Sequence, residues 1–239
     1  MCGKTARGGN VSKIPNHIAI IPNGNRRGSA QRAISLETGY IKGAAQALRV
    51  TRWAKKQGVR HVTFFGLSCE NMKNRSDFEI DSLMKGAIRF LDVIGLVGHV
   101  HAFGHIEEFK DVEKYAPLYE RLKRLNGSEH HDRHDFVVHV AANYSGLPEH
   151  ELKPLFQALK SRGFADVELE PERYLLSGGV PRVDLLIRTG GENRFSGFLP
   201  FQLSYAEMYY TATLWPDLTH REFRAALEWF EKQPRNFGK

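Results

Sequence analysis

HIAIIPNGNRRG, residues 17–28, begins as an apolar run and ends in a turn of Asn, Gly and Arg. Four consecutive apolar residues, 18–21, are too few for a buried helix and are typical of a core strand in a parallel sheet. Pro22 cannot donate a backbone hydrogen bond to a neighbouring strand, so we expect the strand to end there. A buried strand therefore leads directly into a polar turn.

The turn carries groups that suit an anion. Gly24 permits a tight turn and leaves the backbone open to a ligand. Asn23 and Asn25 supply neutral amides, while Arg26 and Arg27 supply two guanidinium groups, each of which can bind two phosphate oxygens. A solvated surface turn is the alternative for this stretch taken alone.

The composition predicts a globular protein with an anionic partner. The chain has 239 residues, of which 41% are hydrophobic and 26% charged, and this favours one domain with a sizeable core. Lys and Arg exceed Asp and Glu by 34 − 27 = 7. The excess favours nucleic acid, anionic lipid head groups or a phosphorylated substrate, and it does not choose among them.

The sequence also predicts the limits of the domain and the cellular location of the protein. Residues 1–13 are polar and predict a disordered leader, so the domain is expected over residues 14–239. No apolar run approaches the length of a transmembrane segment. Cys2 and Cys69 do not make a disulfide framework, and a reducing cytoplasm is therefore the predicted location.

Strand-like and helix-like segments alternate along the chain, which indicates one α/β domain. The predicted strands are residues 17–21, 59–68, 99–104, 135–143, 183–191 and 204–215. The predicted helices are residues 40–57, 76–93, 107–125, 152–161, 171–176 and 219–232. Such alternation predicts a mostly parallel central sheet of about six strands, with helices on both faces.

Three predicted strands end in polar loops, namely PNGNRRG at residues 22–28, LSCENMKNR at 67–75 and RTGGENRFSG at 188–197. In open α/β sheets, ligands bind outside the carboxyl ends of the strands. The third loop places Arg188 and Arg194 on either side of a glycine pair, an arrangement that suits a diphosphate. Together the loops predict a phosphate site at one edge of the sheet.

Two other features of the sequence, a group of histidines and Cys69, favour structural roles over functional ones. His99 and His101, with the histidine-rich residues 129–134, lack the ligand spacing of a zinc site, and a strand histidine with a solvated loop is favoured. Cys69 has no visible His partner in the sequence, so a structural role is favoured over a nucleophile.

The three loops, in this order and together with SYAEMYYTATLWPD at residues 204–217, resemble the cis-prenyltransferases, the undecaprenyl diphosphate synthase family. The most specific part of the resemblance is residues 188–217. It implies a parallel α/β sheet with an apolar substrate tunnel and a homodimer. It also implies Mg²⁺-dependent condensation of an allylic diphosphate with isopentenyl diphosphate.

The resemblance also implies roles for individual residues. The donor diphosphate is expected at Gly24, Asn25, Arg26, Arg27 and Tyr40. The acceptor diphosphate is expected at Arg188, Arg194 and Ser196, and a metal role is expected for Glu207. The predicted catalytic residues are Asn23, Arg27, Ser68 and Asn71, the last two in an S-x-E-N motif that also contains Glu70.

The departures from the family lie on the donor side. Asn23 stands where the family has an Asp that binds Mg²⁺, and Arg26 stands where it has a small residue. Tyr40 replaces a His, and an Arg of the second loop is shifted to Arg75. Residues 92–98 belong to a shortened stretch at the tunnel, so we expect short products. The metal would then be held by the diphosphate, water and Glu207.

Four functions remain open at this stage. The first is a short-chain synthase that joins dimethylallyl or geranyl diphosphate to the middle of a second C5 diphosphate, giving a branched, lavandulyl-type product. The second is a regular cis-polyprenyl diphosphate synthase that adds isopentenyl diphosphate. The third is a non-catalytic partner subunit, which the intact motif at residues 188–192 disfavours. The fourth, a nucleic-acid binder, lacks any recognition motif.

Overall fold

Six strands, all parallel to their neighbours, form a single sheet at the centre of the molecule. The computed structural model describes residues 14–126 and 136–235. The strands are β1 (His17–Ile21), β2 (His61–Ser68), β3 (His99–Phe103), β4 (Val137–Tyr144), β5 (Leu185–Arg188) and β6 (Glu207–Tyr210). Their order across the sheet is β3-β4-β2-β1-β5-β6, which places the first strand of the chain inside the sheet.

Helices connect the strands. They are α1 (Asn25–Gln31), α2 (Leu36–Lys56), α3 (Cys69–Asn74), α4 (Asp77–Ile94), α5 (Ala116–Asn126), α6 (Pro148–Glu151), α7 (Lys153–Arg162), α8 (Phe164–Val167) and α9 (His220–Glu231). Of these, α2, α4, α5 and α9 contribute to the core on one face of the sheet. Side chains cap several of them at the N-terminus, as Ser35, Ser76 and Thr219 do for α2, α4 and α9. The predicted single α/β domain with a parallel six-stranded sheet is confirmed.

Several predicted elements are wrong in their limits or type. The segment 107–125 contains two short 3₁₀ turns before α5, which begins just before Pro117, a residue that helices tolerate only in their first turn. The segment 171–176 is a 3₁₀ turn at Pro171–Tyr174. Strand β6 has only four residues because beyond it the Thr211 and Thr213 carbonyls accept hydrogen bonds from the Gly191 and Gly190 amides of the third loop. The short helices α1, α3, α6 and α8 are not predicted from the sequence.

The two faces of the sheet bury different sets of apolar residues. Ile18 and Ile20 of β1 pack with the face that α2, α4 and α5 cover. Ala19 and Ile21 point to the opposite face, where Phe198 and Leu199 pack against them. Strand β1 is therefore buried on both faces, as its continuous apolar run predicts.

Some predictions fall outside the part of the chain that the structure describes, namely the disordered leader at residues 1–13 and the histidine-rich loop at 129–134. Across residues 14–126 and 136–235, no helix has both the length and the apolar character that crossing a membrane requires. The connection from α4 to β3 is short, since it comprises only residues 95–98.

Candidate active site

A cavity of about 570 Å³ opens at the carboxyl ends of β1, β2 and β5. Its polar mouth is formed by the three loops that the sequence singled out, and its interior lies between the sheet and helices α2, α4 and α5. The interior is lined by apolar side chains, among them Ala47, Phe64, Leu83, Met84, Phe90, Leu91, Leu118 and Leu122. A polar mouth therefore leads into an apolar interior.

The structure brings nearly all predicted site residues to this cavity. Its lining includes Asn23, Gly24, Asn25, Arg26, Arg27, Tyr40, Ser68, Asn71, Arg188, Arg194 and Ser196. Glu207 is different, since it does not line the cavity. It begins β6 beside Leu185, three residues before Arg188 in the neighbouring strand. The predicted metal role of Glu207 finds no support in the geometry of one chain.

The first loop, residues 22–28, is held in place by its neighbours at the edge of the sheet. The Asn23 carbonyl accepts hydrogen bonds from the Thr189 hydroxyl at 2.8 Å and from the Trp215 amide at 2.9 Å. Gly24 has a φ of 118°, and a Cβ there would lie 2.9 Å from Leu214 Cα. Only glycine fits this turn, which sets α1 and its two arginines at the mouth.

The first loop also contacts the third loop, residues 188–197. Arg27 donates to the Gly190 carbonyl at 2.8 Å, and a Cβ on Gly190 would lie 2.6 Å from that guanidinium. The Asn23 amide donates to Glu192 Oε2 at 3.3 Å. Since both contacts join side chains of one loop to the other, the two predicted diphosphate positions are adjacent.

The third loop is organised around one buried arginine. Arg188 is 3% exposed, donates to the Ser196 hydroxyl at 2.8 Å, and also bonds to Glu192 and the Arg194 carbonyl. Its Nε is buried and has no hydrogen-bond partner within the described chain. Arg194 donates to Glu192 Oε2 at 2.6 Å, and its side chain is 64% exposed. Glu192 therefore aligns two guanidinium groups at the mouth.

Three of the departures from the family meet at one carboxylate, that of Glu79. Tyr40 donates to Glu79 Oε1 at 3.0 Å, and Arg75 Nε lies 3.1 Å from the same oxygen. Arg26 donates to Glu79 Oε2 at 3.2 Å. Glu79 is 6% exposed, so its charge requires these partners. Arg26 is therefore shared between Glu79 and the cavity mouth.

The second loop forms the third side of the mouth. Ser68 caps α3 by accepting a hydrogen bond from the Asn71 amide at 3.1 Å. Glu70 lines the cavity and accepts from the Ser145 hydroxyl at 3.0 Å. Burial opposes the charge of Glu70, but hydrogen bonds from its own amide, Ser68 and Ser145 outweigh burial and hold its pKa below the usual value. An ionised carboxylate therefore faces the cavity beside Asn71.

Burial raises the pKa of the Cys69 thiol to about 11. The thiol donates to the Asn143 carbonyl at 3.2 Å and does not line the cavity. A nucleophilic role in the chemistry of the cavity is therefore excluded by its protonation and its position.

The donor set at the mouth fits a divalent cation only in company with a substrate. Asn23 donates its amide N–H to Glu192, so the side chain must rotate to present Oδ1 beside the Glu192 carboxylate, the two kinds of oxygen that Mg²⁺ accepts. Glu192, however, already binds Arg188 and Arg194. Mg²⁺ usually takes one or two carboxylates and completes its shell with water and substrate phosphates. Asn23 and Glu192 can serve as those protein ligands once a diphosphate competes for the arginines.

Sequence reasoning missed the roles of Glu79 and Glu192. Glu192 lies inside the quoted third loop, but a spacing of four residues indicates an ion pair only within a helix, and Arg188 is the last residue of β5. Glu79 is the third residue of α4, where an acidic residue is usual for the helix dipole. Nothing in the sequence connects it with Arg26, which lies 53 residues earlier.

Comparison with known proteins gives a consistent result. The family model described as "Putative undecaprenyl diphosphate synthase" matches residues 21–238. An isoprenyl transferase of Geobacillus kaustophilus is 32% identical over 235 residues, which cover 94% of this chain and 89% of that protein. A ditrans,polycis-undecaprenyl-diphosphate synthase of Buchnera aphidicola, specific for (2E,6E)-farnesyl diphosphate, is 32% identical over 232 residues, covering 95% and 91%.

A solved structure shows the same fold. Lavandulyl diphosphate synthase from Lavandula x intermedia, in complex with dimethylallyl diphosphate, superimposes with a TM-score of 0.79 at 27% identity. The match covers 95% of this chain and 99% of that one.

Proposed function

Because the chain belongs to the undecaprenyl diphosphate synthase family of prenyltransferases, we propose that it joins two short prenyl diphosphates into a short, branched prenyl diphosphate. The donor would be dimethylallyl or geranyl diphosphate, and the acceptor a second C5 diphosphate that forms the new C–C bond at its middle. The similarity to a lavandulyl diphosphate synthase that binds dimethylallyl diphosphate supports this choice.

The observation that carries the proposal is the rebuilt donor side. Arg26, Tyr40 and Arg75 converge on the buried Glu79, while the loop with Arg188 keeps the arrangement that the family implies. Loss of the metal-binding Asp alone would not explain why Arg26, Tyr40 and Arg75 all contact Glu79. A donor position remodelled for a different pairing explains both groups of residues.

The cavity supports a short product. Its volume of about 570 Å³ lies within the roughly 300–1,000 Å³ of pockets that bind small ligands. Leu91 is 2% exposed and belongs to the packed wall, where displacing a bulky side chain is costly. Two C5 units, or a C10 and a C5 unit, are therefore the expected contents.

The reaction follows from the placement of charge around the cavity. Arg26 and Arg27 stand at the donor position, where they stabilise the diphosphate as the allylic C–O bond breaks. Arg188, Arg194 and Ser196 hold the acceptor's diphosphate, so that its double bond supplies the electron pair for the new C–C bond. The apolar wall excludes water from the allylic cation.

The last step is loss of a proton from the acceptor. The groups placed to accept this proton are a diphosphate oxygen and the polar side chains of Ser68, Glu70 and Asn71. Mg²⁺, when bound at Asn23 and Glu192 with a substrate, would neutralise part of the diphosphate charge. The arginines supply the rest of that neutralisation from the protein itself.

A homodimer belongs to the proposal as well. Strand β6 is an edge strand whose four residues are all half-buried, and Phe201 just before it is 48% exposed. Exposed apolar groups beside an open strand edge are typical of interfaces. Sedimentation should give twice the mass of the 27.2 kDa chain. Phe201→Asp should lower it, whereas Phe156→Asp on α7 should not; a monomeric wild type would contradict the proposal.

The deciding experiment identifies the product. Dimethylallyl, geranyl and isopentenyl diphosphates are offered singly and in every pairing, and products are analysed by mass spectrometry and NMR. We expect branched products of ten to fifteen carbons. Long linear products that require isopentenyl diphosphate would instead identify the regular synthase, which the named relatives favour as the second candidate. No turnover in any pairing would leave the partner-subunit hypothesis.

A further inference from the structure

Three metal-binding side chains meet beside the second loop, outside the cavity. Cys69 begins α3, His105 follows β3, and His150 lies in α6. One potential ligand atom from each lies within 4.8 Å of the other two. None of the three side chains lines the cavity, so the cluster is separate from the diphosphate positions.

The two imidazoles point at each other. His105 Nε2 lies 3.0 Å from His150 Nδ1. Two nitrogens that each bind one Zn²⁺ at about 2.0–2.1 Å in tetrahedral geometry lie roughly 3.3 Å apart. The nitrogens are thus close to the spacing of shared ligands before any ion is bound, and the cysteine sulfur lies within 4.8 Å of a ligand nitrogen of each histidine.

Carboxylates and an amide surround the cluster. The far nitrogen of His105, Nδ1, lies 3.9 Å from Glu108 Oε1, which is too long for a hydrogen bond but places an acidic group beside the imidazole. Asn143 holds both ends of this arrangement, since it donates to Glu108 at 2.8 Å and accepts from the Cys69 thiol. Glu70 and Glu108 add negative charge near the sulfur, and Lys73 opposes them.

We propose that Cys69, His105 and His150 form a binding site for a Zn²⁺-class transition metal ion. One thiolate and two imidazoles are the ligands that such ions prefer, and they leave a fourth position for water or an exchangeable group. On binding, the Cys69 sulfur exchanges its proton for the metal, and the proton leaves to solvent. The ion is separate from the Mg²⁺ proposed at the mouth.

Binding at this site would act on the cavity through one peptide segment. Cys69 lies between Ser68 and Glu70, both of which line the cavity. A metal bond to the cysteine would join that segment to His105, just after β3, and to His150 in α6. The ion would therefore fix the wall of the cavity without contacting the substrate.

Co²⁺ is the probe for the test, because a cobalt–thiolate bond gives a charge-transfer band and tetrahedral coordination gives strong visible absorption. The full chain is freed of metal by chelation, titrated with Co²⁺, and then back-titrated with Zn²⁺. We expect one equivalent of Co²⁺ to produce the band and Zn²⁺ to remove it. Zn²⁺ should also raise the melting temperature of the wild type.

Matched variants localise the signal. Cys69→Ser should abolish the thiolate band, and His150→Gln should weaken binding at least tenfold. Cys2→Ser removes the other cysteine and His220→Gln removes an exposed histidine of α9; both should leave the titration unchanged. The proposal is overturned if the wild type shows no thiolate band, or if Cys69→Ser keeps it. Circular dichroism of each variant separates loss of the site from loss of the fold.

Discussion

Arg188 and Arg194, at the proposed acceptor position, differ in burial and in bonding. Arg188 is buried and its terminal nitrogens are already bonded, whereas Arg194 is 64% exposed and paired with Glu192. Arg194 is therefore the guanidinium that is free to move onto a diphosphate. Its removal tests the acceptor position without opening the core.

We expect Arg194→Ala to lower turnover by one to two orders of magnitude. A charge-assisted hydrogen bond is worth roughly 1.5–3 kcal/mol, which corresponds to such a loss. Steady-state kinetics with the accepted substrate pair provide the measurement. Arg224→Ala, which removes an exposed helix ion pair with Glu228, is the control. Unchanged kinetics for Arg194→Ala would remove this residue from the site.

Asn23 separates the two enzyme hypotheses. Its amide donates to Glu192 at 3.3 Å, so Asn23→Asp would place two carboxylates face to face. Their repulsion is relieved when a divalent cation binds between them, and turnover should depend more steeply on Mg²⁺. If the site is rebuilt for branched coupling, the native reaction becomes no faster. A large gain confined to isopentenyl diphosphate would point to the regular synthase, and Asn23→Ala controls for loss of the amide.

Single residues also show the limits of sequence reasoning. The loop residues that were predicted lie at the ends of strands, where the order of elements alone fixes their position. Arg26 was expected to face only the donor's diphosphate, and its contact with Glu79 depends on how α4 packs beside the first loop. Glu207 was chosen by resemblance, and its place at the start of β6 could be known only from the register of that strand.

At the level of elements, α4 is the wall that limits the cavity. Leu91 is 2% exposed and lines the interior, while Val93 on the same helix is 37% exposed. Leu91→Ala should lengthen the products by enlarging the cavity, at a cost of about 2–5 kcal/mol in the free energy of unfolding. Val93→Ala is the matched control. Unaltered products from a folded Leu91→Ala protein, measured by mass spectrometry, would show that this wall does not set the chain length.

Elements were predicted well where the apolar pattern is long and poorly where it is short. Helix α4 was placed within a residue of both its limits, because its buried face repeats over many turns. Helix α1 has seven residues, two of them arginines, and carries no apolar face of its own. It forms because the turn at Gly24 directs the chain across α2, which is a tertiary effect.

For the molecule as a whole, His17 predicts how stability depends on pH. Burial lowers the pKa of this fully buried imidazole to about 3, from 6.5 in the unfolded chain. Between these values the unfolded state binds more protons, so stability falls as pH decreases from about 6.5 towards 3. The slope should approach ~1.4 kcal/mol per pH unit for this group. His61, whose ring lies 5.7 Å from that of His17, has its pKa lowered as well, chiefly by burial.

Urea unfolding at a series of pH values measures this effect. His17→Gln should reduce the dependence on pH between 3 and 6.5, whereas His220→Gln, at an exposed position on α9, should leave it unchanged. An identical pH profile for wild type and His17→Gln would mean that other groups control acid unfolding.

The place of β1 between β2 and β5 has a consequence for synthesis on the ribosome. Strands β1 to β4 leave the ribosome first, and they can pair with one another once they have emerged. The other edge of β1 stays open until residue 188 appears, long after the strand itself has left the exit tunnel. An apolar strand with a bare edge invites pairing with other nascent chains. Chaperones should therefore bind this protein during the interval in which residues 145–188 are being made.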